Sequence, residues 1–171
     1  MFAKTFEKFS YTSVGISTFL LLGISYYYTT LDINWSLFES KIINGILIFG
    51  ALMLSNYAID TVTRQLTIER SNRNAYHLLL YPLTVMSYPV ESIDMRFILS
   101  SAAIWAAWRN VRIFFELTDN TKKIKRLFDA SVLLSFSSLI IVENLIIFAY
   151  PLLALITSNI TRDFKHYIII F

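Results

Sequence analysis

The sequence predicts an all-α fold: a polytopic transmembrane helical bundle of about five spans, with an interfacial or partial sixth segment at the C-terminus. Three observations predict it. The chain of 171 residues is 56% hydrophobic and 16% charged, where soluble domains run at roughly 45–50% and about 25%. Its apolar residues come in blocks close to the length a bilayer core requires. Its basic residues gather in alternate gaps between those blocks, as the positive-inside rule demands.

The first block, 12–28, reads TSVGISTFLLLGISYYY, with Lys4 and Lys8 before it. The leading lysines resemble a signal peptide. No small-residue cleavage site follows and the block ends in three tyrosines, so an uncleaved first span is expected. The second block, 42–59, carries no charge over eighteen residues. The third, 75–90, is short and contains Pro82 and Pro89; it reads as a kinked span or a re-entrant segment. The fourth covers 97–115. The fifth is expected at 130–150 and continues apolar to 158, bent or ended near Pro151. A single transmembrane domain over 1–171 is the expectation.

Counting cations fixes an orientation. With a cytoplasmic N-terminus and five crossings, eleven of the fifteen basic residues fall inside: Lys4, Lys8, Arg64, Arg70, Arg73, Arg109, Arg112, Lys122, Lys123, Lys125 and Arg126. The two outer gaps hold Lys41 and Arg96 among Asp32, Glu39, Glu91 and Asp94. The third block must cross for the later cluster to stay inside. The stretch from Arg109 to Arg126 is then a cytoplasmic connection anchoring a helical hairpin. Arg112 with Glu116 and Asp119 with Lys123 are expected helix-spaced pairs, each worth roughly 0.2–0.5 kcal/mol. Tyr26, Tyr27, Tyr28 and Trp35 fit an interfacial aromatic belt.

Several charges ask for more than topology. Glu143 lies deep in the last block. A carboxylate at bilayer depth costs roughly 2.5–3.5 kcal/mol on insertion scales and is expected to face the bundle interior. It reads either as a buried carboxyl paired with a donor from the fourth span or as part of a proton or ion path. Asn144 beside it would complete a polar cluster. Arg109 and Arg112, three apart, share a helix face; they either snorkel to the headgroups or hold a phosphate-bearing lipid or substrate. Lys122, Lys123, Lys125 and Arg126 are candidates for anionic headgroups, at about 1 kcal/mol each. Asp32 is a candidate outer-face acid. Asp60 and Arg64 are spaced to pair four apart.

Soluble-enzyme chemistry finds little here, and no catalytic or metal-binding set stands out. There is no cysteine, and glycines number four, so thiol chemistry and a glycine-rich phosphate loop are excluded. His77 and His166 make no metal-spaced pair. The net charge of +3 is dispersed between apolar blocks, which argues against a nucleic-acid partner. No cofactor is expected. The glycosylation-type triplets at Asn34 and Asn159 arise readily by chance.

Residues 56–80, NYAIDTVTRQLTIERSNRNAYHLLL, and 107–140, AWRNVRIFFELTDNTKKIKRLFDASVLLSFSSLI, together resemble an uncharacterised multi-pass inner-membrane family of Bacteroidetes, chiefly flavobacterial. The matching positions are Asn74 with Tyr76, Arg109, Lys122, Lys123, and Phe128 to Ser131, the last opening a helix. The resemblance implies the N-terminal half of a longer protein. Such proteins are sometimes labelled beta-carotene monooxygenases. That chemistry uses iron held by several histidines, which two scattered histidines do not supply, so the label is rejected.

Three functions are weighed. The first is an accessory or structural subunit of the bacterial inner membrane, packing on other membrane subunits and the lipid bilayer through small residues such as those of SSAAIWAAW. The second is a transporter or channel element using Glu143. The third is a membrane enzyme on a lipid-linked substrate, with Asp32 as acid or base.

Overall fold

The computed structural model describes residues 5–7, 9–31, 38–66, 75–88 and 94–158, the side chains of 64–66 excepted. Among the described residues the protein is all-α, with no strand. Its helices are α1 (Tyr11–Thr30), α2 (Lys41–Leu66), α3 (Tyr76–Ser87), α4 (Met95–Glu116), α5 (Asn120–Ile140) and α6 (Ala149–Thr157), with a 3-10 segment, Val142–Phe148, between the last two. The chain divides into two units, 1–99 and 100–171.

The first unit is an up-down-up arrangement of α1, α2 and α3. Ser10 starts α1 with a reciprocal cap: its hydroxyl accepts from the Ser13 amide and the Ser13 hydroxyl accepts from the Ser10 amide, both at 3.1 Å. Such a box satisfies two donors that a helix start would otherwise leave open. α1 and α2 run antiparallel, since Ser25 donates to the Gly45 carbonyl at 2.8 Å while Asn56 donates to Ser17 at 3.0 Å. α3 runs beside α1 in the same sense. The Ala75 amide donates to the Phe6 carbonyl at 2.8 Å, and the Tyr28 hydroxyl donates to the Val85 carbonyl at 2.9 Å. Leu21, Ile24, Ile48 and Leu52 form the core, with Met95 from the first turn of α4.

Small residues set the spacing. Ser13, Ser17 and Ser25 lie on the buried face of α1. A Cβ on Gly45 would stand 3.0 Å from the Thr29 methyl, so the two helices nearly touch there. Tyr28 departs from the expected aromatic belt: it is buried, whereas Tyr26 and Tyr27 are exposed.

In the second unit α4 and α5 form an antiparallel hairpin about residues 117–119. Pairs equidistant from the turn meet across it: Lys123 over the Phe114 ring at 5.7 Å, Arg126 donating to Asn110 at 3.2 Å, and Ser100 with Ser137 at 2.7 Å. α5 begins ten residues before the expected fifth span. Asp119 caps it by accepting from the Thr121 amide at 2.9 Å, and Ile124, Leu127, Ala130 and Leu134 then face the core at helical spacing. Phe128 to Ser131 therefore lie inside the helix rather than opening it.

The continuous span expected at 130–150 is not formed. α5 ends at Ile140, Ile141 takes extended backbone (φ −136°, ψ 106°), and a 3-10 segment follows. The β-branched run of Ile140, Ile141 and Val142 disfavours further α-helix. Pro151 does not end a helix here; it sits in the first turn of α6, where its missing N–H would have no partner in any case. α6 lies along α4 in the same direction, with Trp108 against Tyr150 at 4.6 Å and, seven residues further on each helix, Phe115 and Thr157 lining one groove.

One helix among the described residues is long and apolar enough to cross a bilayer: α2, over Lys41–Thr63, with a mean hydropathy of 1.8. The others fall short for separate reasons. α1 is diluted by serines, threonines and tyrosines, and α4 carries Arg109 and Arg112. The last apolar block is divided at Ile141, leaving Val142–Thr157 as a shorter piece. α3, with 12 residues, is ~18 Å long at 1.5 Å per residue.

Candidate functional site

Polar side chains inside an apolar bundle are the first place to look, because each unpaired one costs free energy. The first unit holds one such constellation at the end where α1 begins, α2 ends and α3 begins. His77 Nε2 lies 2.9 Å from Asp60 Oδ1, with side-chain exposures of 14% and 7%. One turn earlier on α2, Asn56 donates to Ser17, while its Oδ1 is buried and makes no hydrogen bond. Asn56 and Asp60 are four apart and so share a face of α2. Midway along α3, Tyr81 packs against the core of the first unit.

Sequence reasoning missed the His77–Asp60 pair. It placed Asp60 with Arg64, whose side chain lies outside the described residues. Seventeen residues separate Asp60 from His77, so no helical spacing links them. The visible signal was weaker: Asn56 and Asp60 stacked on one face of an otherwise apolar helix.

The second unit holds a smaller cluster. Asn144 donates to Ser100 at 2.6 Å and to Ser137 at 2.9 Å, and the two serine hydroxyls meet at 2.7 Å. This ties the 3-10 segment to both helices of the hairpin just after the break at Ile141. Glu143 takes no part; its side chain is exposed. The expectation of an inward-facing Glu143 treated 130–150 as one helix. The break turns the chain, and Asn144 goes inward in its place.

The cationic connection is spread along the hairpin. Arg112 pairs with Glu116 as expected, Nε to Oε1 at 3.7 Å. The expected pairing of Asp119 with Lys123 gives way to Asp119 with Lys122, at 3.9 Å. The capping role of Asp119 holds its carboxylate over the first turn, and Lys123 turns to the Phe114 ring instead. Arg126 is drawn to Asn110 and to Asp129, at 3.8 Å. Lys122 and Lys125 are exposed, whereas Arg109, Arg112, Lys123 and Arg126 are half-buried. The six cations thus share one end of the hairpin without converging on a single point.

Arg112 also lines a groove of about 280 Å³ between α4 and α6. Asp32, Trp35, Asn74, Arg70, Arg73, Glu91 and His166 lie outside the described residues. Among the described residues no group of three or more His, Asp or Glu side chains is placed to hold a metal ion.

No family model matches the chain, and no curated protein or solved structure matches it.

Proposed function

We propose that this chain is an integral membrane protein acting as an accessory or structural subunit, by packing rather than by catalysis. One observation carries the reading: many large apolar side chains stay exposed, while serines, an asparagine and an aspartate are buried beside the leucines and isoleucines of the cores. Phe19, Leu22, Ile42, Ile46, Leu54, Leu80, Leu139 and Ile146 are all 45% or more exposed. Ser13, Ser17, Ser25, Ser55, Asn56, Asp60, Ser100 and Ser137 are all under 10%. In water so many exposed leucines, isoleucines and phenylalanines would favour association. In lipid this arrangement is the expected one, because lipid supplies no drive to bury large apolar groups and helix contacts are made by small and hydrogen-bonding residues.

The proposed topology keeps the N-terminus and the Arg109–Arg126 connection in the cytoplasm of a bacterial inner membrane, with α2 as the firmest span. A crossing at α3 requires the residues flanking Tyr76 and Ser87 as well, since a bilayer core is about 30 Å thick. The resemblance to the Bacteroidetes membrane family is part of the same proposal.

The absence of cysteine makes the test clean. A single cysteine at position 123 is protected from an impermeant thiol reagent in intact cells and reacts after permeabilisation; one at position 39 reacts in intact cells. Labelling of position 123 from outside would reverse the topology, and release of the chain by carbonate extraction would end the membrane reading. A stoichiometric membrane partner recovered in mild detergent supports the accessory role.

A second reading, an element of a proton or ion path, is favoured by the buried Asp60–His77 pair beside the unpartnered Asn56 oxygen. Ionisable pairs inside membranes often belong to such paths. This version uses Asp60 where the sequence suggested Glu143. In reconstituted vesicles Asp60→Asn abolishes pH-driven flux and Glu143→Gln does not; equal flux in both variants removes this reading.

A further inference from the structure

The groove between α4 and α6 pairs a cation with an apolar trough. Trp108, Phe115, Tyr150, Leu153 and Thr157 line it, and Arg112 is the charged member of the lining. Arg112 Nε is buried and makes no hydrogen bond; the Glu116 carboxylate four residues on stands 3.7 Å away, beyond hydrogen-bond reach. An arginine that merely snorkelled would carry this nitrogen into water. Here Nε is shielded although the side chain as a whole is 32% exposed and ion-paired with Glu116, so the guanidinium keeps one donor without an acceptor, which is costly. A guanidinium in that setting calls for a planar or tetrahedral anion, which it meets with two parallel donors. The tilted Trp108–Tyr150 pair, 4.6 Å between ring centroids, supplies the amphipathic rings found at headgroup level.

We propose that this groove seats one anionic glycerophospholipid, an acyl chain lying along Leu153 and Phe115 and the phosphate on Arg112. The inference rests on the membrane reading above. The chemistry selects among occupants. At about 280 Å³ the trough is too small for a helix roughly 10 Å across. A zwitterionic lipid offers the same chain but brings a cation of its own to the guanidinium, which weakens the match.

The test uses the full chain in nanodiscs containing phosphatidylglycerol and phosphatidylcholine in equal amounts, with retained lipid counted by native mass spectrometry. Phosphatidylglycerol is expected to be retained preferentially. Arg112→Gln reduces that preference by about five- to tenfold, the equivalent of one lost cation–headgroup contact, while Arg112→Lys keeps part of it. Leu153→Trp, at an exposed position, fills the trough and lowers retention of both lipids. Arg96→Gln, in the first turn of α4 and outside the groove, leaves the preference unchanged. The proposal is overturned if Arg112→Gln matches the parent chain, if Arg96→Gln weakens the preference equally, or if Leu153→Trp has no effect. Displacement of the lipid by millimolar inorganic phosphate would mark an anion site without the trough and also overturn it. Confirmed topology with no lipid preference would sink this inference alone.

Discussion

His77 on α3 reaches Asp60 on α2 at 2.9 Å, and the contact joins two helices at a point where both side chains are largely shielded from solvent. Truncating either partner takes a buried contact from the other, a loss of about 1–3 kcal/mol. Asp60→Ala and His77→Ala are each expected to lower the melting temperature of the detergent-solubilised protein. The double variant should fall well short of the sum. Additivity within about 0.5 kcal/mol would show that the two residues do not act together.

Asn144 and Glu143 are neighbours with opposite surroundings. Asn144→Ala removes the donor that holds Ser100 and Ser137, and should cost about 1–3 kcal/mol. It should also speed amide hydrogen exchange across 142–148. Glu143→Gln changes an exposed side chain and should stay within about 0.5 kcal/mol of the parent. A larger effect from Glu143→Gln than from Asn144→Ala would contradict the turn described at Ile141.

Gly45 and Gly50 sit on the same helix and are expected to respond differently to alanine. Nothing lies within 4 Å of a Cβ at Gly50, so Gly50→Ala should gain about 0.5–1 kcal/mol from helix propensity. At Gly45 the new Cβ meets the Thr29 methyl at 3.0 Å. Thr29 is held by its own hydroxyl bond to the Tyr26 carbonyl at 2.7 Å, so Gly45→Ala should show no gain or a loss. Thr29→Ser removes the methyl and should restore the gain. Thermal unfolding of Gly50→Ala, Gly45→Ala and Gly45→Ala combined with Thr29→Ser decides it; equal stabilisation at both glycines would deny the close approach of α1 and α2.

Asp119 caps α5, and its carboxylate is exposed enough to be replaced without repacking. Asp119→Ala should cost about 0.5–2 kcal/mol and fray residues 120–125, seen as faster amide exchange there. Asp119→Asn should retain most of the stability, because the capping acceptor survives. Equal losses in both variants would assign the effect to charge instead.

Helical class, the hairpin at the Arg109–Arg126 connection and the helix face shared by Arg109 and Arg112 were legible from residue order, because helical periodicity and charge spacing are local properties. The start of α5 was missed by ten residues: the Asp-Asn-Thr cap and the Ile124, Leu127, Leu134 spacing carried it, but the apolar block beginning at Ala130 drew the boundary. Tertiary structure alone decided which polar groups meet. His77 and Asp60 are far apart along the chain, and Asn144 goes inward past Glu143 only because the backbone turns at Ile141. Hydropathy sums over a window and is blind to such a turn; hydrogen-bond satisfaction inside an apolar bundle depends on it, since a buried donor with no acceptor on its own helix must find one brought by another.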